Sequence, residues 1–376
     1  MKRYLTSHIL KDLPHKIVLL SGPRQCGKTT LSKQLYNDFE YLNYDAQEDL
    51  VIFKEKTWDR KKSLVIFDEL HKMSQWKKWL KGLYDKEGIP PQILVTGSAK
   101  LDTYRKVGDS LAGRYFQYRL HPLDLKEITK FSQEENEKLF DRLWDCSGFP
   151  EPFLEGEEQY YRRWRKSHLD IILRQDLIDL HTVSDIKAIE LLVSLLKKRI
   201  GSQVSYASLA RDLQRDEKTV KRWLNLLESL YVIFRVTPYS KNIARSLIKG
   251  PKFYFYDHTH AENDHGARLE NIVACALIKE LHYLEDTKGI TTSLHYLRTK
   301  DGKEIDFCIC QNGDPTHLIE VKYSDDKPAS GFKHFGRILG NASKLQLVKT
   351  LSREKTYPDG LEVRSLIPWL VKLDLL

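Results

Sequence analysis

The sequence lacks any apolar run approaching the roughly 20 residues that a membrane-spanning helix needs. Cysteine is scarce, with five in 376 residues, an odd number scattered along the chain. Cys308 and Cys310 stand two apart on an expected strand, and no other cysteine completes a zinc pattern with them. That usage argues against a disulfide scaffold or a zinc module and suits a reducing cytoplasm. No apolar signal core follows the basic start Met1-Lys2-Arg3-Tyr4-Leu5-Thr6, so no secretion signal is expected. Disorder is excluded as well, because 41% of the residues are hydrophobic and 30% are charged. The length is enough for two or three domains with their own cores. What the chain has in excess is positive charge, a formal net +9. Such a balance points to polyanions, nucleic acid first, although many proteins with this charge bind none.

Ile17 to Leu31 reads as a short buried strand, a tight loop and the start of a helix. The loop Gly22-Pro23-Arg24-Gln25-Cys26-Gly27-Lys28-Thr29-Thr30 fits G-x-x-x-x-G-K-[ST], a phosphate-binding pattern. Gly22 and Gly27 allow backbone shapes and a close approach that a Cβ would block. Successive N–H groups and the helix start can then face the phosphates of a nucleotide such as ATP. Lys28 supplies a mobile charge for the β/γ-phosphates, and Thr29 a hydroxyl for Mg2+. A second buried run, Ser63-Leu64-Val65-Ile66-Phe67, ends in Asp68-Glu69. Four apolar residues in a row suit a central parallel strand, whose C-terminal end opens on the ligand crevice. Asp68 is expected to hold Mg2+ through its water shell, and Glu69 to polarise an attacking water.

Strand and helix patterns alternate through the first 120 residues, which predicts a parallel α/β sheet. Phe39 to Tyr44 and Gln92 to Ser98 are further strands, and Trp76, Trp79, Leu80 and Leu83 share one face of a helix. Ser98 is the side chain expected at the γ-phosphate or the water; Thr96 shares that strand end, and turn chemistry in Thr96-Gly97-Ser98 is the alternative. From Leu120 to about Arg199 the pattern is helical. Tyr160 to Lys166 interleaves bases and aromatics, which fits either a solvated face or stacking on single-stranded nucleic acid.

The segments GPRQCGKTT, LVIFDELHK, ILVTGSAKL and SLAGRYFQYRLHPLDLKEI resemble a large prokaryotic family of AAA+-type, archaeal-ATPase-like proteins. Members carry a winged helix and a C-terminal restriction-endonuclease-like domain of unexplained role. The resemblance implies an ATPase core over residues 1–130, a helical lid over 131–200 containing Gly148-Phe149-Pro150, a winged helix over 201–250 and a nuclease-like α/β domain over 251–376. It also implies that Arg114 is offered to a neighbour's γ-phosphate, hence a homo-oligomer such as a ring. A surface arginine at a strand start is the plainer reading of the same residue.

Two parts of the last 180 residues can be read directly. Ser205 to Leu213 and Glu217 to Leu230 form a helix-turn-helix by spacing, with Val220, Trp223, Leu224 and Leu227 as the apolar stripe of the second helix. Lys218, Lys221, Arg222 and Asn225 lie off that stripe and are the candidate DNA contacts; service as a lid or docking surface is the alternative. Further on, strand alternation sets Ile305, Phe307 and Ile309 against Glu304 and Asp306, and Ile319, Val321 and Tyr323 against Glu320 and Lys322. Asp306, Glu320 and Lys322 then share one crevice. This is similar to the D…E-x-K arrangement of restriction-type nucleases, and Glu270 resembles their extra acidic ligand. The resemblance implies Mg2+ or Mn2+ on Glu270, Asp306 and Glu320, with Lys322 at the water. A degenerate, inactive scaffold in a nucleotide-controlled interaction switch is the competing expectation.

Overall fold

A computed structural model describes residues 1–97, 111–176, 185–240, 250–261 and 264–376. The chain divides into two compact units, Met1–Pro122 with Ser229–Tyr231, and Leu123–Glu228 with Val232–Leu376.

The first unit is built on a parallel sheet. Its elements are α1 (Thr6–Asp12), β1 (Ile17–Ser21), α2 (Lys28–Lys33), β2 (Phe39–Asn43), α3 (Gln47–Glu55), β3 (Leu64–Asp68), α4 (Trp76–Glu87), β4 (Gln92–Thr96) and β5 (Tyr115–Arg119). The strand order is β2-β3-β4-β1-β5, with every pairing parallel. Strands β1 and β3 are buried at every residue, which is why their sequences are unbroken apolar runs rather than alternating ones. Helix α4 buries Trp76, Leu80 and Leu83, and Trp79 packs against the same core. Phe67 holds that core together, with ring centroids 5.4 Å from Phe53, 5.2 Å from Trp58 and 5.6 Å from Trp79. Because β1 lies between β4 and β5, the chain direction across the sheet switches beside it, and the crevice at the strands' C-terminal ends opens at β1.

In the second unit, four helices come first: α5 (Leu125–Ile128), α6 (Asn136–Cys146), α7 (Pro150–Glu155) and α8 (Glu158–Ile171). Tyr161 and Trp164 of α8 are buried and Tyr161 Oη donates to Asp257 Oδ2 at 2.8 Å, so these two aromatics of that basic stretch fill the core and are not available for stacking on bases, whereas Tyr160 is only half-buried and donates to Glu151 Oε1 at 2.6 Å. After α9 (Ile186–Lys197) comes the helix pair α10 (Tyr206–Leu213) and α11 (Glu217–Ser229). Gln214 turns the chain between them at φ +51°, and Asp216 Oδ1 caps α11 by accepting from Thr219 N at 2.9 Å. The remaining elements are β6 (Ile233–Pro238), β7 (Lys252–Phe255), α12 (His265–Lys288), β8 (Thr292–Arg298), β9 (Glu304–Gln311), β10 (Asp314–Lys322), α13 (Ser330–Ile338), β11 (Ser343–Val348), β12 (Lys355–Thr356), β13 (Leu361–Ser365) and α14 (Leu366–Val371).

These strands form one eight-stranded sheet, β12-β13-β11-β10-β9-β8-β6-β7. The strand expected as a wing, β6, pairs in parallel with β8 and antiparallel with β7. Positions 200 and 250, expected as domain boundaries, therefore fall within one compact unit: the hairpin that follows the helix pair extends the C-terminal sheet.

Candidate functional site

The N-terminal site is assembled by backbone geometry before any side chain acts. Gly22 has φ +151°, and a Cβ there would lie 2.1 Å from Leu120 O, so only glycine lets the loop pass this close to the end of β5. Gly27, at φ +95°, starts α2 in the left-handed region. Arg3 is buried and fixes the loop from outside, donating from Nη1 to Cys26 O at 2.8 Å and from Nη2 to His121 O at 2.6 Å. Cys26 Sγ donates to Leu120 O at 3.4 Å. Within this frame the Lys28 ammonium is held by Gly22 O at 2.9 Å and Pro23 O at 2.8 Å, over the loop whose N–H groups suit phosphate oxygens.

Asp68, at the end of β3, is the centre of the polar site. Its Oδ2 accepts from Thr29 Oγ1 at 2.9 Å and from Tyr41 Oη at 2.7 Å. Its Oδ1 accepts from Glu69 N at 3.0 Å and from the Thr96 hydroxyl. Thr29 and Asp68, the two residues expected at Mg2+, are therefore in direct contact. An oxygen pair of this kind at the mouth of a phosphate loop fits a hard cation. Glu69 follows at φ +54°. Burial, then the adjacent Asp68 charge, push its carboxyl up to about 7, against the opposing pull of Lys28, Lys72 and Arg24. His71 Nε2 lies 3.5 Å from Glu69 Oε2. A carboxyl that titrates near neutrality beside the expected phosphates has the properties of a general base.

The expected residue Ser98 lies outside the described residues; Thr96, two positions earlier, is the polar side chain of β4 bonded to Asp68. Arg114 does not approach this site. It immediately precedes β5, whose register pairs Tyr115 with Ile17 and Arg119 with Ser21, so it lies at the opposite end of the strands, about 17 Å away at 3.3 Å per residue. Its guanidinium is engaged in a fork with Asp85, Nε–Oδ1 2.6 Å and Nη2–Oδ2 3.2 Å. Sequence reading missed Arg3 and Tyr41. The signal for Tyr41 was the alternation of β2: Asn43 pairs with Asp68, and Tyr41 shares the face of Asn43.

The second site lies in the eight-stranded sheet, and a residue absent from the sequence expectation organises it. Lys252, 2% exposed, opens β7. Its Nζ lies 2.7 Å from Glu304 Oε1, 3.1 Å from Glu270 Oε1 and 3.8 Å from Asp306 Oδ1. Tyr254 Oη donates to Glu270 Oε1 at 2.5 Å. Asp306 Oδ2 accepts from Val321 N at 2.9 Å, Glu320 Oε2 accepts from Asp306 N at 3.2 Å, and Lys322 Nζ meets Glu320 Oε1 at 2.6 Å. The residues Glu270, Asp306, Glu320 and Lys322 are thus brought together, but around an ammonium. Among the described residues no group of three His, Cys, Asp or Glu side chains has the geometry to hold a metal ion. The donors do not fit a divalent cation, because their oxygens are turned onto Lys252, Lys322 and main-chain N–H groups. Burial and the neighbouring Asp306 charge push Glu270 up to about 8 and Glu320 to about 7.

On the helix pair, Lys218, Lys221, Arg222 and Asn225 are all exposed on α11. Lys221 Nζ lies 3.7 Å from Glu217 Oε2 and 5.0 Å from the Tyr206 ring, and Asn225 Oδ1 accepts from Arg235 Nη2 at 2.6 Å. Lys221 and Asn225 are thus partly engaged by neighbouring side chains.

The first unit thus resembles a P-loop AAA fold: a parallel sheet, a glycine-bounded phosphate loop and an acidic pair at the end of a neighbouring strand. In agreement, residues 14–129 match the AAA domain family. Residues 136–261 and 265–368 match two domains of unknown function, DUF8612 and DUF4143. Similar chains include an uncharacterised protein of Mycobacterium tuberculosis, 27% identical over 81% of this chain and 70% of its own length. Another, from Methanocaldococcus jannaschii, is 25% identical over 84% of this chain and 76% of its own. A third, from Haemophilus influenzae, is 24% identical over 95% and 94%. Among the described residues no helix is long and apolar enough to cross a membrane.

Proposed function

We propose that the chain is a Mg2+-dependent ATPase that acts as a nucleotide-controlled switch on DNA. The observation that carries the reading is the Asp68 centre. One carboxylate joins the phosphate-loop hydroxyl Thr29, the strand-end hydroxyl Thr96 and Tyr41, with Glu69 next to it. In this reading Gly22 to Thr30 bind the phosphates, Lys28 neutralises the β/γ-phosphate charge, Thr29 and Asp68 hold Mg2+, and Glu69 takes the proton of the attacking water. Mg2+ would supply charge neutralisation at the β- and γ-oxygens. Arg114 would leave Asp85 and serve the site of a neighbouring copy, in a ring or another homo-oligomer. DNA is the proposed partner of the α11 face, led by Lys218 and Arg222. The C-terminal sheet enters as a scaffold, and metal-dependent DNA cleavage through Glu270, Asp306, Glu320 and Lys322 is the rival reading.

The test is ATP turnover by the full chain with Mg2+, alone and with linear, branched and single-stranded DNA, with the DNA examined afterwards for cuts. Turnover that DNA stimulates, with the DNA intact, is the expected result. Absence of turnover under every condition refutes the ATPase reading. Cleavage that Asp306→Ala abolishes favours the rival.

A further inference from the structure

We propose that Lys252 stands in the place of a divalent cation in the C-terminal pocket, so that this restriction-endonuclease-like sheet is held by an internal ion pair and takes no metal there. The proposal rests on the scaffold reading of that sheet and is independent of the ATPase site.

The main chain dictates where Lys252 goes. Val204 N donates to Pro251 O at 2.8 Å, and Gln203 bridges to Lys252. A Cβ on Gly250 would lie 2.5 Å from Val204 O, so residues 250–252 press directly on residues 203–204. Register with β6 sets Lys252 opposite Val236, and the pleat turns its side chain into the pocket. There the ammonium meets Glu304, Glu270 and Asp306 at 2.7, 3.1 and 3.8 Å, and it lies 5.4 Å from the centroid of the Tyr296 ring. The carboxylates cannot easily turn away from it. A Cβ on Gly201, which has φ +70°, would fall 2.8 Å from Glu270 Oε2, so the backbone closes that side. Glu304 is held from outside by Arg298 at 2.8 Å, and Glu320 by Lys322 at 2.6 Å.

The charge balance agrees with this arrangement. Carboxylates gathered in a low-dielectric pocket repel one another unless a cation lies among them. A metal would supply that cation from solution, whereas here β7 delivers it covalently. Lys252 is also the residue through which the β6–β7 hairpin, which follows the helix pair, is charge-locked to β9 and α12. A metal would have to displace an ammonium that cannot diffuse away.

The experiment is a Mn2+ titration of the nucleotide-free full chain, with free Mn2+ followed by its electron paramagnetic resonance signal. The parent, Asp306→Asn, Lys252→Met and the double variant are compared. The parent and Asp306→Asn are expected to bind Mn2+ alike. Lys252→Met is expected to gain one site, at least about tenfold tighter than any parent site (about 1.4 kcal/mol), and the double variant to lose it. A parent site that disappears in Asp306→Asn overturns the proposal, as does a folded Lys252→Met chain without the new site. If Lys252→Met folds only when Mn2+ is present, the metal has replaced the ammonium and the proposal holds. If that variant folds in neither condition, the comparison of the parent with Asp306→Asn decides alone. ATP turnover, read separately, bears only on the phosphate loop.

Discussion

Replacing Glu69 with Gln separates the cost of the base from its use. In the folded chain the Glu69 carboxyl is pushed from an ordinary 4.5 up to about 7. A raised carboxyl pKa means that the folded state binds the proton more tightly than the unfolded state. Stability therefore falls as pH rises from 4.5 toward 7, and the loss is complete above about 7. At 1.36 kcal/mol per pH unit the full penalty is about 3 kcal/mol, shrinking to under about 1 kcal/mol at pH 5. Gln is nearly isosteric with the neutral acid and carries no such penalty. Glu69→Gln should therefore unfold at higher urea than the parent at pH 8, by about 1–3 M at an m-value of ~1–3 kcal/mol/M, and at nearly the same urea at pH 5. Glu270 and Glu320 are raised as well and tilt both proteins alike, so the difference between them isolates Glu69. The same group should give kcat/KM for ATP a limb that rises through about pH 7, about tenfold between pH 6 and 8, while the variant binds ATP and turns it over at least ~100-fold more slowly. A variant no more stable than the parent at pH 8, or stabilised equally at pH 5, refutes the account of Glu69 as a buried, destabilising base.

The other expectations are more direct. Lys28→Ala, which removes the ammonium held at Gly22 O and Pro23 O, should weaken ATP binding at least ~10-fold in a fluorescent-nucleotide titration. Arg114→Ala should keep ATP affinity within about twofold and lose turnover if the guanidinium acts in trans; mixing it with Glu69→Gln should restore part of the rate, and a fully active monomer at assay concentration contradicts that role. Replacing Lys218 and Arg222 together with Ala should weaken DNA binding and lower the slope of log K against log salt by about 2; an unchanged slope removes α11 from the DNA interface.

The sequence was most legible where backbone requirements restrict residue choice. A phosphate loop needs glycine at a position such as Gly22, where any side chain meets Leu120 O, and a buried parallel strand needs an unbroken apolar run such as Leu64 to Phe67. Both constraints are local, so both can be read from a short window. The alternation of Ile305, Asp306 and Phe307 was equally readable, because the side-chain period of a strand is fixed. What escaped notice depends on register between distant strands. Tyr41 reaches Asp68 only because β2 pairs with β3 with Asn43 opposite Asp68. Arg3 reaches the loop only because the residues before α1 lie against it.

Lys252 illustrates why acidic clusters are hard to interpret from a chain alone. Its local signal was real: a lysine heads the apolar run Phe253-Tyr254-Phe255-Tyr256, where a solvated strand end is the ordinary explanation. The residues it neutralises come from α12 and β9, 18 to 54 positions later, and nothing in the intervening sequence gives their distance from its ammonium. Three carboxylates with the spacing of a metal site are therefore compatible with two opposite chemistries, and the position of one cation decides between them. A mobile divalent ion makes such a pocket reactive, because it can exchange ligands with water and phosphate. A tethered ammonium meets one oxygen of each carboxylate and cannot exchange ligands with water or phosphate. The phosphate loop shows the contrast within the same chain. Lys28 is held there by two neutral carbonyls, which a phosphate can replace at small electrostatic cost, whereas Lys252 is held by three carboxylates, which it cannot leave without exposing their mutual repulsion. The first lysine is poised to exchange partners with a ligand; the second is fixed as part of the fold.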